Sequence, residues 1–93
     1  MQKSIYKKGD LRRMLAVLGA IDAGHDTLVQ IVAATGLDKK SITSLILQAG
    51  KQAKVSVSKT GAVYRIDDWG PVLKKTGAKM ALTGALNAPM IGP

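Results

Sequence analysis

Lys39, Lys40, Thr43, Ser44, Leu47 and Lys51 recur at three- and four-residue intervals within one short stretch, and their types fit recognition better than catalysis. Lysine ammonium groups meet phosphates, hydroxyls hydrogen-bond to phosphates or base edges, and an exposed leucine can touch a thymine methyl or a protein partner. Bond-making chemistry needs partners that this chain does not bring together. His25 is the single histidine and has no cluster in sequence, so it reads as a solvated loop residue. There is no cysteine, hence no thiolate metal site, no cysteine nucleophile and no disulfide scaffold. Asp67 and Asp68 are neighbours on an expected strand, where they point to opposite faces, and they read as a capping turn at the strand end. The expectation is therefore a protein that is not an enzyme and carries no cofactor and no metal.

Charge points the same way. The 93 residues make one domain and carry a formal net charge of +8, which counterion release makes favourable against a polyphosphate. Nucleic acid is the expected partner. With Tyr6, Tyr64 and Trp69 as the only aromatics, a stacking platform for single strands is poorly supported, so duplex DNA is the form expected. Lys39 and Lys40 are balanced by Asp26 and Asp38, so the positive excess lies in the N-terminal arm, in residues 51–68 and in residues 69–93. Phosphate contacts by the arm and by residues 51–68 then supply most of the affinity. Arginine, the bidentate partner of guanine, is absent from residues 38–50, so base readout is expected to be weak. No apolar run approaches the roughly 18 to 20 residues that span a bilayer. Lys3, Lys7, Lys8, Asp10, Arg12 and Arg13 interrupt any signal-peptide core, so no membrane partner and a cytoplasmic location are expected.

The elements that position these residues can be read from caps and periods. Asp10 is an N-cap for a helix running to about Ala23, with Leu11, Met14, Leu15, Leu18 and Ile21 on one face and Gly24 at its end. Thr27 followed by Gln30 is a capping box for a second helix from Leu28, whose inner side carries Leu28, Ile31 and Val32. Gly36 suits the left-handed closure of that helix, Leu37 is an apolar plug, and Asp38 caps a third helix over 38–50. Ile42, Leu45, Ile46 and Ala49 form the inner stripe of that helix; Lys40, Thr43, Ser44, Leu47 and Lys51 lie opposite, with Lys39 on the flank. This is a helix-turn-helix. Residues 54–67 then alternate as a β-hairpin around Lys59-Thr60-Gly61, with Val55, Val57, Tyr64 and Ile66 facing the helices and Lys54, Ser56, Ser58 and Arg65 outward. Pro71 opens a short turn or helix through Lys75. Residues 76–93 read as a flexible tail or as a helix that docks on a second subunit, which leaves a homodimer open.

The stretch TLVQIVAATGLDKKSITSLI resembles the helix-turn-helix of bacterial winged-helix regulators such as the IclR and MarR types, in which an apolar helix is followed by T-G-L, a short basic and hydroxyl run, and I/V-x-x-L. Val32 stands where those proteins usually carry a small residue. The resemblance covers residues 27–50 well and, with the hairpin, 11–67. It implies an α+β winged helix-turn-helix over residues 1–75: a three-helix core, a β-hairpin wing, and a short C-terminal helix or tail over 76–93. It also implies a small bacterial or phage transcriptional regulator at the nucleoid, with helix 38–50 in the major groove and Lys59, Thr60 and Arg65 on the wing over the DNA backbone or minor groove. A winged helix used for protein docking, centred on Leu47, is the alternative.

Overall fold

A computed structural model describes residues 6–84. Its elements are α1 (Leu11–Asp22), α2 (Leu28–Thr35), α3 (Lys39–Ala53), β1 (Ser56–Thr60), β2 (Val63–Asp68) and α4 (Lys75–Thr83). The chain is thus α+β, with a two-stranded antiparallel hairpin after three helices and a fourth helix behind it. Among the described residues no helix is long and apolar enough to cross a membrane.

α1 begins where the sequence predicts, with the Asp10 carboxylate accepting from the Arg12 backbone N–H at 2.9 Å. Its burial differs from the predicted single stripe. Leu11 is 56% exposed, whereas every residue from Met14 to Ile21 is buried, including Ala16, Val17, Gly19 and Ala20, which lie outside that stripe. A helix that is apolar all round is an interior helix. Met14, Leu15 and Leu18 pack with Ala49, Ala53 and Val55, and Val17 and Ile21 pack with Ile31, Leu37, Ile42 and Tyr64.

The rest of α1 is covered by α4. Gly19 lies against Ala78, the Asp22 carboxylate is 3.7 Å from the Lys75 ammonium, and the Tyr6 hydroxyl donates to the Ala81 carbonyl at 2.7 Å. These pairs run in opposite senses along the two helices, so α1 and α4 are antiparallel. The boundary drawn at residues 75 and 76 falls in the first turn of α4, and of the turn or helix predicted from Pro71 to Lys75 the structure has the turn, which leads into α4 at Lys75. Residues 85–93 of the predicted tail lie outside the described residues.

α2, its turn and the start of α3 follow the sequence closely. Gln30 N–H donates to Thr27 Oγ1 and Thr27 N–H to Gln30 Oε1, both at 3.3 Å, and Gly36 closes the helix at φ 75°. The Thr35 hydroxyl donates to the Ile31 carbonyl and accepts from Leu37 N–H, which seats Leu37 in the core. Asp38 caps α3 by accepting from Ser41 N–H. α3 is longer than predicted: it passes through Gly50 to Ala53 and ends at Lys54, whose φ of 58° is the left-handed conformation usual at such ends. Val55 N–H then donates to the Ala49 carbonyl.

That extra turn displaces the hairpin. β1 starts at Ser56, Lys59 and Thr60 are its last residues, and the turn is Gly61-Ala62. Gly61 has φ 60° and Ala62 does not share the positive φ, the arrangement of a two-residue turn with glycine first. Val57, Tyr64 and Ile66 pack inward and Lys54, Ser56, Ser58 and Arg65 are exposed, as their alternation predicts. Tyr64 N–H donates to the Asp26 carbonyl at 2.8 Å, which ties β2 to the loop between α1 and α2.

Two glycines distinguish the tight part of this packing from the open part. A Cβ on Gly19 would run into the Ala78 carbonyl and stand 3.2 Å from Leu82 Cβ, whereas one on Gly50 would meet only Val55 O at 3.5 Å, an ordinary contact. Gly19→Ala should therefore destabilise by about 1–3 kcal/mol through overpacking. Gly50→Ala should stabilise by roughly 0.5–1 kcal/mol, because it replaces glycine inside a helix. Thermal melts followed by circular dichroism measure both. A neutral Gly19→Ala would mean a looser seam, and a destabilising Gly50→Ala would mean that α3 does not run through residue 50.

Candidate nucleic-acid interface

The outward surface of α3 consists of two parallel ridges with a four-residue repeat. Lys39, Thr43, Leu47 and Lys51 form one; Lys40, Ser44, Gln48 and Gln52 form the other, and none of the eight is buried. At 1.5 Å per residue, Lys39 and Lys51 are separated by about 18 Å along the axis, with hydroxyl, leucyl and amide groups between them. The ridges are set by the inner side: Ile42 and Ala49 are fully buried and Leu45 packs into both core clusters, which leaves α3 no freedom to rotate.

Local hydrogen bonds decide what these groups can offer. The Thr43 hydroxyl donates to the Lys39 carbonyl at 3.0 Å, so its proton is used within the helix and its oxygen lone pairs and methyl remain. Gln48 Nε2 donates to Ser44 Oγ at 3.3 Å, leaving the serine O–H, the second amide N–H and the amide carbonyl for a ligand. Gln48 and Gln52 extend the set predicted from sequence. Their signal is the i, i+4, i+8, i+12 spacing from Lys40 through Ser44.

The second ridge forms one wall of a groove of about 590 Å³. Lys8, Gly9, Asp10 and Arg13 line the other wall, and Leu11, Met14 and Leu45 contribute the apolar surface. The groove brings Lys40 and Ser44 together with the basic lead-in to α1. Thr43, Leu47, Lys51 and the hairpin residues do not line it.

The three residues predicted for the wing are split. Register places Lys59 opposite Tyr64, Ser58 opposite Arg65, and Thr60 opposite Val63. Lys59 therefore shares the inner face with Tyr64, its ammonium 5.3 Å from the ring centroid, while Thr60 and Arg65 share the outer face. Arg65 Nε donates to Asp67 Oδ1 at 3.0 Å, and a register shift between Ser56 and Val57 accommodates Asp67 as the extra residue. The Ser58 hydroxyl and the Arg65 guanidinium hold the Asp67 carboxyl below its usual range. Asp68 caps the next turn by accepting from Gly70 N–H at 2.8 Å. His25 is an exposed loop residue, and among the described residues no three metal-binding side chains cluster.

The N-terminal arm is built differently from a free basic tail. Arg12 forms a bidentate pair with Asp10, at 3.0 Å through Nε and 2.6 Å through Nη2, and its guanidinium lies 4.8 Å from the Tyr6 ring centroid. Arg13 Nε donates to the Tyr6 carbonyl at 2.9 Å. Both arginines thus hold the arm, and exposed Lys7 and Lys8 carry its outward charge. Lys3 lies outside the described residues.

The Arg12 hydrogen bonds hold the Asp10 carboxyl down at about 2, against an ordinary value of 3.8. A carboxylate depressed in the folded state contributes stability that is complete above its unfolded value and is lost as pH falls through the folded one. Between pH 4 and pH 2 the wild type should therefore lose stability faster than Asp10→Asn, which retains a capping oxygen without the charge. Urea melts across that range measure the difference; parallel curves would mean that the ion pair contributes nothing.

Comparison of the chain with family models, with curated proteins and with solved structures finds no match, so its own residues carry the functional reading.

Proposed function

We infer that the protein binds duplex DNA as a winged helix, with α3 in the major groove and the β1–β2 hairpin as the wing against the backbone. The observation that carries this reading is the layout of α3. Lysines at both ends stand about 18 Å apart, more than the roughly 12 Å width of the major groove, so they can reach phosphates on its two sides while the residues between them face base edges. A net charge of +8 and the order of three helices followed by a hairpin support it. In this reading the chain acts as a small bacterial or phage transcriptional regulator in the cytoplasm, at the nucleoid, and performs no catalysis. A homodimer would set two α3 faces on half-sites one helical turn apart.

One observation favours a second reading. Leu47 is 62% exposed at the middle of the α3 surface, where it can equally serve as the centre of a protein contact.

Fluorescence anisotropy on a random duplex at several salt concentrations tests the proposal. Binding should weaken with a log–log slope of roughly −0.9 per phosphate neutralised. Lys40→Ala and Lys51→Ala should each flatten that slope by about one unit. Asp67→Ala should tighten binding by up to about fivefold, because it releases Arg65 from a surface ion pair. Absence of binding at low salt would rule out the DNA reading and leave protein docking through Leu47.

A further inference from the structure

The groups at the middle of the α3 ridges match one type of base pair. Adenine presents the N7 acceptor and the N6 amino donor side by side in the major groove, whereas guanine presents two acceptors. Gln48, with one amide hydrogen held by Ser44 Oγ, keeps one N–H and its carbonyl, the complement of adenine and a mismatch for guanine. Leu47, adjacent on the other ridge and 62% exposed, suits the thymine C5 methyl, the apolar group on that groove's edge. Thr43 stands one turn before Leu47 with its hydroxyl proton already given to the Lys39 carbonyl, so its methyl can join the same contact. α3 contains no arginine to pair with guanine, and its lysines lie towards the two ends.

We propose that α3 selects A·T pairs through the major groove, Gln48 reading adenine while Ser44 fixes its amide, and Leu47 with Thr43 reading the thymine methyl. This rests on the duplex-DNA function inferred above. It also narrows the role of Ser44, which acts as a positioning residue for Gln48.

Three duplexes of equal length test it by anisotropy at one low salt concentration: alternating A·T, alternating G·C and alternating I·C. Inosine lacks the guanine 2-amino group, so I·C has an A·T-like minor groove and a G·C-like major-groove edge. The wild type should bind A·T about fivefold or more tighter than either of the others. Replacing thymine by deoxyuridine should weaken binding about fourfold, the effect of one buried methyl group. Gln48→Ala should reduce the A·T preference to the roughly fourfold part that the thymine methyl supplies, and Leu47→Ala should remove the sensitivity to deoxyuridine; both side chains are exposed, and circular dichroism verifies folding. Equal affinity for A·T and G·C overturns the proposal, as does I·C binding like A·T, since selection would then lie in the minor groove. In either case the duplexes are still bound and the DNA function stands. Failure to bind any of the three removes the DNA function and this proposal together.

Discussion

Backbone contact between α1 and α4 at Gly19 and Ala78 is the constraint that the other elements depend on. Because no side chain separates them there, α4 covers the face of α1 that α2, α3 and the hairpin leave bare. α1 then becomes an interior support with packing surfaces on every side. Leu45, Val57 and Ile66 bridge the two clusters built on it, so the inner edge of α3 and the inner face of the hairpin are fixed by the same few contacts. A surface that reads a ligand needs this immobility, since side chains on a rotating helix would present a different set of groups.

The sequence revealed those elements whose ends are sealed by local chemistry. Asp10, Thr27 with Gln30, Gly36 and Asp38 each act within a few residues, and each behaves in the structure as its type predicts. The outward set on α3 was legible for the same reason: helical spacing turns an inner stripe of Ile42, Leu45, Ile46 and Ala49 into an outer surface by arithmetic. The hidden features depend on tertiary contacts. Gly50 looks like a helix end, yet α3 continues to Ala53, because burying Ala53 and Val55 against α1 favours another turn before Val55 N–H closes on the Ala49 carbonyl. α4 has Gly77 in its first turn and no side-chain cap, so the sequence left a helix and a flexible tail both open there, and burial of Ala78 and Ala81 against α1 supplies its stability. The pairing of Arg65 with Asp67 was equally hidden, since the bulge that accommodates Asp67 appears only once the register is known.

The electrostatics of the surface follow from its capping. Asp10 and Asp38 start the two helices that line the groove, and each brings a carboxylate close to the lysines that would meet phosphate. Arg12 neutralises the first by direct pairing, and the Ser41 hydrogen bonds keep the second ionised, with Lys40 nearby. The groove therefore combines positive and negative groups where a purely basic channel would bind any polyanion alike. The uncharged hydroxyl, amide and apolar groups lie beside this mixed charge, at the middle of α3.

The antiparallel seam between α1 and α4 also governs the order in which the protein covers its apolar surface as it is made. About fifty residues separate the end of α1 from the start of α4. At ribosomal rates of about 5–20 residues per second, the Gly19 face of α1 waits roughly 3 to 10 s for its cover. Even after α2 and α3 have formed, a nascent chain that lacks α4 still exposes the part of α1 around Gly19 that Ala78 covers in the finished fold. Until α4 follows, the other described elements leave that face of α1 uncovered.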